Sequence, residues 1–471
     1  MSPQPVLAVS LPSTGTLAAA LLAALLILAA LVALMRARED AFALLAMLAL
    51  PFRLPISADG RTVNLLIPLY MVIAAGTVAH LLPRLLAPRR SAPEPGVEGA
   101  SVAGKGLDSS ERASVAGERL DGAERYLQWL LLGAVALYAL QAIYSVDRAK
   151  AGENLLFFYL PFGLLFMLLR DVRWSRELLL RCLLVLVVLA VVFAGVGFVE
   201  YDRKSLFLNP KVVAANQYDN YFRVNSVFFD PSIYGRFLAL VMIAVTTAVL
   251  WGRRREVLAG AAVLAWLLAG LVTSFSQSSI VALLLGLAVL AAWRWEVRRT
   301  LYAAAGLLAL GVVILLLAPA SLHFGLKGSG GSTSNATSGR ANLVSGGLEL
   351  FAERPLQGYG AGSFETEYKR HGKTSEENAT SASHTIPVTV AAEQGLLGLG
   401  VYVALLALAF LVLFRGAGRS PPRIAVAACF AALVLHTWTY ADFLEDPLTW
   451  TLLGVGLALS RAGRVARASS F

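Results

Sequence analysis

An arginine and a histidine lie towards the two ends of one long polar segment, in a chain that is otherwise mostly apolar. Arg340 follows Ser338 and Gly339, and His384 stands just before the apolar sequence resumes. A guanidinium presents a fork of donors that matches phosphate oxygens, and a neutral imidazole accepts a proton near neutral pH. The two side chains would therefore suit the transfer of a phosphate-linked group.

Two glycine-rich motifs lie between and beyond these residues. They are Glu353-Arg354-Pro355-Leu356-Gln357-Gly358-Tyr359-Gly360 and Ala392-Glu393-Gln394-Gly395-Leu396-Leu397-Gly398. We interpret Tyr359 and Glu393 as substrate-binding residues. Ser338 is the predicted N-cap of a helix that ends at Pro355, which places Arg340 at the helix start, where backbone amides favour anions. Residues 321–383 are too few for a core of their own, so this module is predicted to pack on the membrane domain.

A second cationic segment precedes a predicted span. It contains Arg223, and Arg236 and Asp230 are interpreted as substrate-binding residues. An ionisable group near a span faces protein or water, and we expect Arg236 to pair with Asp230. Plainer interpretations exist: Arg223 would snorkel to lipid headgroups, Arg340 would be a solvated residue, and His384 would cap a helix.

The composition predicts an all-α polytopic membrane protein. The 471 residues are 57% hydrophobic, with a mean hydropathy of +0.68, and soluble domains are rarely so apolar. A span needs about 20 apolar residues. Thirteen segments are candidates: 15–35, 41–50, 63–82, 126–144, 155–169, 178–199, 233–251, 257–272, 280–295, 301–317, 386–414, 424–440 and 448–459. The second is short and interrupted by prolines, so twelve spans with one re-entrant segment is the alternative.

The basic residues alternate from loop to loop. Lys and Arg cluster in every second loop, as they do in cytoplasmic loops of membrane proteins. This pattern accounts for the net charge of +10 without nucleic-acid binding. We therefore predict a cytoplasmic C-terminus, with the N-terminus and residues 200–230 and 321–383 outside. No basic region precedes the first apolar segment, so a cleaved signal peptide is not expected.

The chain divides into five parts. These are N-terminal transmembrane helices (1–83), a linker (84–125), a transmembrane core with an external loop at 200–230 (126–320), a large external catalytic loop between the tenth and eleventh spans (321–385), and the last spans with a cytoplasmic tail (386–471). The linker contains a tandem repeat of thirteen residues. We interpret it as a disordered cytoplasmic spacer, with a docking element as the alternative. Cys182 and Cys429 are interpreted as inert, and no histidine or cysteine spacing predicts a metal site.

These motifs, in this order, resemble those of the bacterial O-antigen ligase and Wzy-type polysaccharide polymerase superfamily. The resemblance covers roughly residues 223–459. It rests on the arginine segment from Arg223, Ser338-Gly339-Arg340, both glycine motifs and His384. Two positions depart from the pattern. The family's His-Asn is His384-Thr385 here, and its Ser-Arg before the ninth span is Ser276-Gln277-Ser278, which removes one candidate positive charge.

The resemblance implies a GT-C-like, inverting glycosyltransferase of the bacterial inner membrane, with its active site facing the periplasm. It implies an undecaprenyl-pyrophosphate-linked oligosaccharide donor, no cofactor, no metal, and catalysis by His384, Arg223 and Arg340. Polymerisation of O-antigen or exopolysaccharide repeat units is the expected reaction. Ligation of a finished glycan to lipid A-core or a protein is the alternative. The expected partners are the donor, the glycan or lipid A-core acceptor, membrane lipid, a chain-length regulator and a flippase, and no nucleic acid.

A polysaccharide or lipid transporter is the competing class. Transporters place ionisable residues at the bilayer midplane and show repeated halves. Here the predicted spans are nearly free of charge, the halves do not repeat, and the polar motifs lie outside the spans. These observations favour an enzyme.

Cysteine labelling tests the predicted topology. With Cys182 and Cys429 replaced by Ala, a single cysteine at position 330 should react with a membrane-impermeant maleimide in whole cells. A cysteine at position 465 should react only after permeabilisation, because basic clusters favour the cytoplasmic side. Labelling of position 330 only after permeabilisation would contradict both the topology and an external site.

Overall fold

The computed structural model describes residues 14–58, 61–86, 109–207, 222–252, 254–295, 298, 333–372 and 385–468. The helices are α1 (Thr14–Ala37), α2 (Ala41–Ala49), α3 (Ile67–Leu86, with a π-helical turn at Thr77–Leu81), α4 (Ser109–Tyr144), α5 (Arg148–Asp171, with a π-helical turn at Leu155–Tyr159), α6 (Arg176–Arg203), α7 (Pro231–Trp251), α8 (Arg254–Thr273), α9 (Gln277–Arg294), α10 (Thr333–Glu353), α11 (Phe364–Arg370), α12 (Ile386–Phe414), α13 (Pro421–Thr439) and α14 (Pro447–Ala468). One antiparallel hairpin pairs β1 (Leu54–Ala58) with β2 (Arg61–Leu65). The predicted all-α polytopic class is confirmed.

Nine helices within the described residues are long and apolar enough to cross a membrane. They coincide with nine predicted spans and are α1, α3, α4 (over Gly122–Tyr144), α5, α6, α7, α9, α12 and α13. The short second segment is the nine-residue α2, well below the length of about 20 residues that a span needs. Of the other three segments, 257–272 and 448–459 lie in α8 and α14, and 301–317 lies outside the described residues.

The centre of the bundle is formed by α7 and α13. In each of these two helices 67% of the residues in the apolar, membrane-spanning stretch are buried, compared with 6% in α1 at the periphery. One apolar cluster contains residues of α13 together with residues of α1–α5, α12 and α14, and a second contains residues of α13 together with residues of α6–α9. Because α13 is apolar on all sides, it is buried in the centre of the bundle. It contributes residues to both apolar clusters and so connects them.

The polar module between α10 and α12 packs on the membrane domain, as its small size predicts. Its apolar residues Leu343, Leu350, Tyr359, Phe364 and Tyr368 form a cluster with Ala392 of α12. We call the end of the bundle that carries this module the outer end.

The predicted start of α10 is wrong. The helix begins at Thr333, so Ser338 is not its N-cap and Arg340 lies well inside the helix. Thr333 and Ser334 are themselves residues favoured at helix starts, and they precede Ser338 in the chain. The argument that Arg340 completes an anion site at a helix terminus therefore does not apply.

The boundary between the linker and the next span also differs from the prediction. Residues 87–108 lie outside the described residues, whereas residues 109–125 are helical and continue without a break into the span of α4. Most of the second copy of the repeat consists of Ala, Glu, Arg and Leu, which are good helix formers once a downstream span nucleates the helix. The spacer interpretation stays a prediction for residues 87–108.

The opposite end of the bundle gathers basic residues from three loops. Arg36, Arg84 and Arg173 line a cavity of about 440 Å³ near the ends of α1, α3 and α5. Arg84 pairs there with Asp171 at 2.6 Å. The structure thus brings these three arginines together at one end of the bundle.

Candidate active site

The two glycine motifs pack backbone against backbone at the outer end. The N–H of Gly360 donates to the Glu393 carbonyl over 2.8 Å, and the N–H of Leu396 donates to the Pro355 carbonyl over 2.7 Å. The turn after α10 is thereby paired to the interior of α12, much as two strands pair.

Two glycines make this approach possible. Gly358 has φ +66°, and a Cβ there would lie 2.2 Å from the Glu393 carbonyl oxygen. Gly395 has φ +64°, and a Cβ there would lie 2.4 Å from the Leu356 carbonyl oxygen. Gly395 also interrupts the helical geometry of α12. Both positions combine a conformation that favours glycine with a space that only glycine fits.

The Glu393 carboxylate holds the next stretch of the module. It accepts hydrogen bonds from the N–H of Gly362 over 2.9 Å and of Phe364 over 3.0 Å. The side chain is buried, and each of its two oxygens accepts from one backbone N–H group. Glu393 therefore fixes the residues from which α11 begins.

The end of α4 holds the module from a second direction. The Ser145 hydroxyl donates to the Ala361 carbonyl over 2.7 Å, and the Tyr144 hydroxyl donates to the Gln357 carbonyl over 2.8 Å. The turn is thus clamped between α4 and α12, which are both membrane helices.

Tyr359 lies at the centre of a polar group on the module. Its hydroxyl donates to Glu353, and the Arg354 guanidinium carbon lies 4.3 Å from the centre of its ring. Burial and Glu353 raise the pKa of Tyr359 to about 12. A hydrogen bond to the Glu367 carbonyl and the nearby Glu353 carboxylate raise the pKa of His371. The described contacts of Tyr359 and Glu393 are within the protein, and their role in substrate binding stays a prediction.

Among the three predicted catalytic residues, the structure describes the side chain of Arg223. Its Nε donates to the Ser274 carbonyl over 3.3 Å, and the guanidinium is half-buried at the outer end. Arg340 lies on α10, but its side chain is outside the described residues, as is the whole of His384. Their catalytic roles stay predictions.

Arg236 pairs with Asp446 and not with Asp230. The Arg236 guanidinium lies 2.9 Å from the Asp446 carboxylate, and the two side chains are only 1% and 2% exposed. Asp230 instead caps α7 by accepting from the Ser232 N–H over 2.6 Å, and it hydrogen-bonds with the Tyr440 side chain. Asp230 accepts from a backbone N–H group at the start of its own helix. Arg236 lies further along α7 and faces Asp446, directly before α14.

The loop between α13 and α14 contributes carboxylates that belong to none of the sequence motifs. Burial and the Asp442 carboxylate raise the pKa of Glu445 to about 8. The Asn154 amide donates to Glu445 over 2.8 Å and to the Tyr138 hydroxyl over 3.0 Å. Glu445 and Glu393 both line a cavity of about 70 Å³. The signal was present in the sequence as three acids within residues 442–446, between two predicted spans.

A family model described as O-antigen ligase matches residues 262–403. The match includes Arg340, His384 and both interlocked glycine motifs. Over this stretch, which we call the matched domain, the chain is similar to the O-antigen ligase family. The resemblance predicted from the sequence is thereby confirmed. A comparison with curated proteins gives no match.

The matched domain is held in place by residues outside it. Arg223 bonds to Ser274 within the domain, and Ser145 bonds to Ala361. Arg223, Arg236 and the acidic loop all lie beyond the matched residues. The polar outer end is thus assembled from the domain and its flanking helices.

Substitution of the interlocked glycines should release the module. Gly358→Ala or Gly395→Ala strains a left-handed backbone by about 1–3 kcal/mol and drives a methyl group into a main-chain carbonyl. We expect both variants to be cleaved within residues 353–372 by limited trypsin digestion at least tenfold faster than the wild type. Gly400→Ala is the matched control, because it lies on α12 with open space around it. Equal resistance of Gly358→Ala and Gly400→Ala would contradict the interlock.

Proposed function

We propose that this protein is a membrane glycosyltransferase that moves a glycan from an undecaprenyl-pyrophosphate-linked donor to a sugar hydroxyl. The observation that carries the proposal is the similarity of residues 262–403 to the O-antigen ligase family. Its first glycine motif is docked on α12 and the end of α4 at the outer end, and Arg223 is bonded to Ser274 of the same domain. We further propose that this end faces the periplasm from the bacterial inner membrane.

Arginines would stabilise the leaving group. When the bond between the anomeric carbon and the pyrophosphate oxygen breaks, the lipid pyrophosphate keeps the electron pair and gains negative charge. Guanidinium groups match phosphate oxygens two at a time, and we assign this role to Arg223 and Arg340. Preorganised donors of this kind contribute about 3–4 kcal/mol each. The bond from Arg223 Nε to Ser274 supports the proposal, because it fixes the guanidinium before substrate arrives.

His384 would activate the acceptor. A neutral imidazole nitrogen takes the proton of the acceptor hydroxyl while its oxygen forms the new bond to the anomeric carbon. Attack from the face opposite the leaving pyrophosphate inverts the configuration at that carbon. His384 precedes the start of α12 at Ile386 by two residues. It would therefore act where the module joins the membrane, without a metal.

Polymerisation of repeat units is the first candidate reaction, and ligation to lipid A-core is the second. Both break the same bond and differ only in the acceptor. The family description, O-antigen ligase, favours the second candidate. The polar residues of the outer end are compatible with either acceptor.

Deletion of the gene in its native host separates the two reactions. Loss of polymer with single repeat units still attached to lipid A-core would identify a polymerase. Accumulation of lipid-linked polymer over bare core would identify a ligase. Surface glycans unchanged from the wild type would contradict glycosyl transfer altogether.

Substitutions in purified protein with a lipid-linked donor test the residue roles. Arg223→Lys should lose at least tenfold in kcat/KM, because a point charge does not reproduce the guanidinium fork. The exposed Arg203→Lys at the end of α6 is the matched control and should keep its activity. Near-normal turnover by Arg223→Lys at saturating donor would remove the argument from bidentate binding.

His384→Asn distinguishes a base from a helix cap, because Asn caps well but takes no proton. We expect a loss of about 10²–10⁴-fold in kcat with donor binding retained. The wild-type rate should fall as the pH drops through the histidine pKa, ordinarily about 6.5. Full activity in His384→Asn would disprove the role as base.

A further inference from the structure

A buried carboxylate at the end of α6 joins two separate stretches of chain. Glu200 is 0% exposed. One of its oxygens accepts from the Phe207 N–H over 3.0 Å, and the other accepts from the Ser226 N–H over 2.7 Å. The Asn225 N–H bonds to it as well. The same side chain thus holds the chain on both sides of residues 208–221, which lie outside the described residues.

These bonds account for an otherwise unfavourable position. Glu200 stands in the last turn of α6, where the helix dipole disfavours an anion. A buried carboxylate is also costly unless it is hydrogen-bonded. Three backbone N–H groups supply the hydrogen-bond donors that the C-terminal end of a helix lacks. Replacement by Gln would leave only one acceptor oxygen and would turn an NH₂ group towards a backbone N–H.

The stretch that Glu200 holds is the one that carries Arg223. Ser226 has φ +52°, which is unusual for a residue other than glycine. Its hydroxyl donates to the Phe193 carbonyl over 2.8 Å. Two residues earlier, the Val224 N–H donates to the Thr273 carbonyl over 3.2 Å. The backbone beside Arg223 is therefore fixed at two points, and the carboxylate of Glu200 secures the more strained one.

We propose that Glu200 is a positioning residue for Arg223. By bonding to Phe207, Asn225 and Ser226, it sets the backbone from which the Arg223 guanidinium reaches the donor's pyrophosphate. The role in turnover rests on the proposed function, whereas the effect on the backbone does not. Glu200 itself contacts no substrate in this assignment.

The test compares Glu200→Gln with Asp202→Asn in the full-length protein. Asp202 is exposed on the same helix end, so its substitution removes one charge without breaking the described bonds. Hydrogen exchange of residues 222–230, followed by mass spectrometry, should be at least tenfold faster in Glu200→Gln and unchanged in Asp202→Asn. With the undecaprenyl-pyrophosphate-linked donor, Glu200→Gln should lose up to about 100-fold in kcat/KM, as a misplaced catalytic group does.

A double-substitution cycle separates positioning from general destabilisation. In an Arg223→Lys background, Glu200→Gln should lower kcat/KM by less than a further threefold. The reason is that the effects of two substitutions are not additive when one residue acts through the other. An equal loss in both backgrounds would overturn the proposal, as would unchanged exchange of residues 222–230 in Glu200→Gln. If the wild type transfers no glycan, the proposed function fails, and the exchange experiment still decides whether Glu200 orders the Arg223 segment.

Discussion

Two stretches of main chain meet with no side chain between them, and the outer end of this protein depends on that contact. Residues 355–360 lie against residues 392–396 because Gly358 and Gly395 leave room for carbonyl and amide groups to approach. The contact joins a helix of the membrane core to the polar module that follows α10. The bonds made by Glu393 and Ser145 add to it, but they reach the module only because the turn already lies against α12.

Buried charge at this end is held in two ways. Glu200 and Glu393 each accept from backbone N–H groups of a neighbouring loop, whereas Arg236 and Asp446 neutralise each other. Breaking such a buried pair by removing one partner costs about 3–5 kcal/mol. Loops that would otherwise be mobile are thus tied to rigid helices. Such an arrangement favours binding of a charged substrate, because the loops are already ordered and little conformational entropy is lost when the substrate binds.

How much the sequence predicts depends on whether a feature is local. Most spans follow from apolar length, and the positions of Gly358 and Gly395 were visible because no other residue suits such turns. The predicted start of α10 was wrong because several Ser and Thr residues precede the helix pattern, and each of them is suited to a helix start. The helix begins at Thr333, before Ser338. The partner of Arg236 could not be found, because nothing in the sequence says that the start of α14 lies beside α7. The acids at 442–446 were visible, but their burial depends on Asn154 and Tyr138, which are distant in the chain.

The position of Gly395 in α12 has a consequence for biosynthesis. Chains are made from the N-terminus, so residues 333–372 are synthesised before their partners at 392–396. Until α12 is inserted, the turn at Gly358 has no main chain to pair with, and α11 lacks the carboxylate that fixes its start. Completion of the outer end is therefore a late event, which waits for a membrane helix downstream. A chain arrested before residue 396 would carry its full polar module and still have no assembled site.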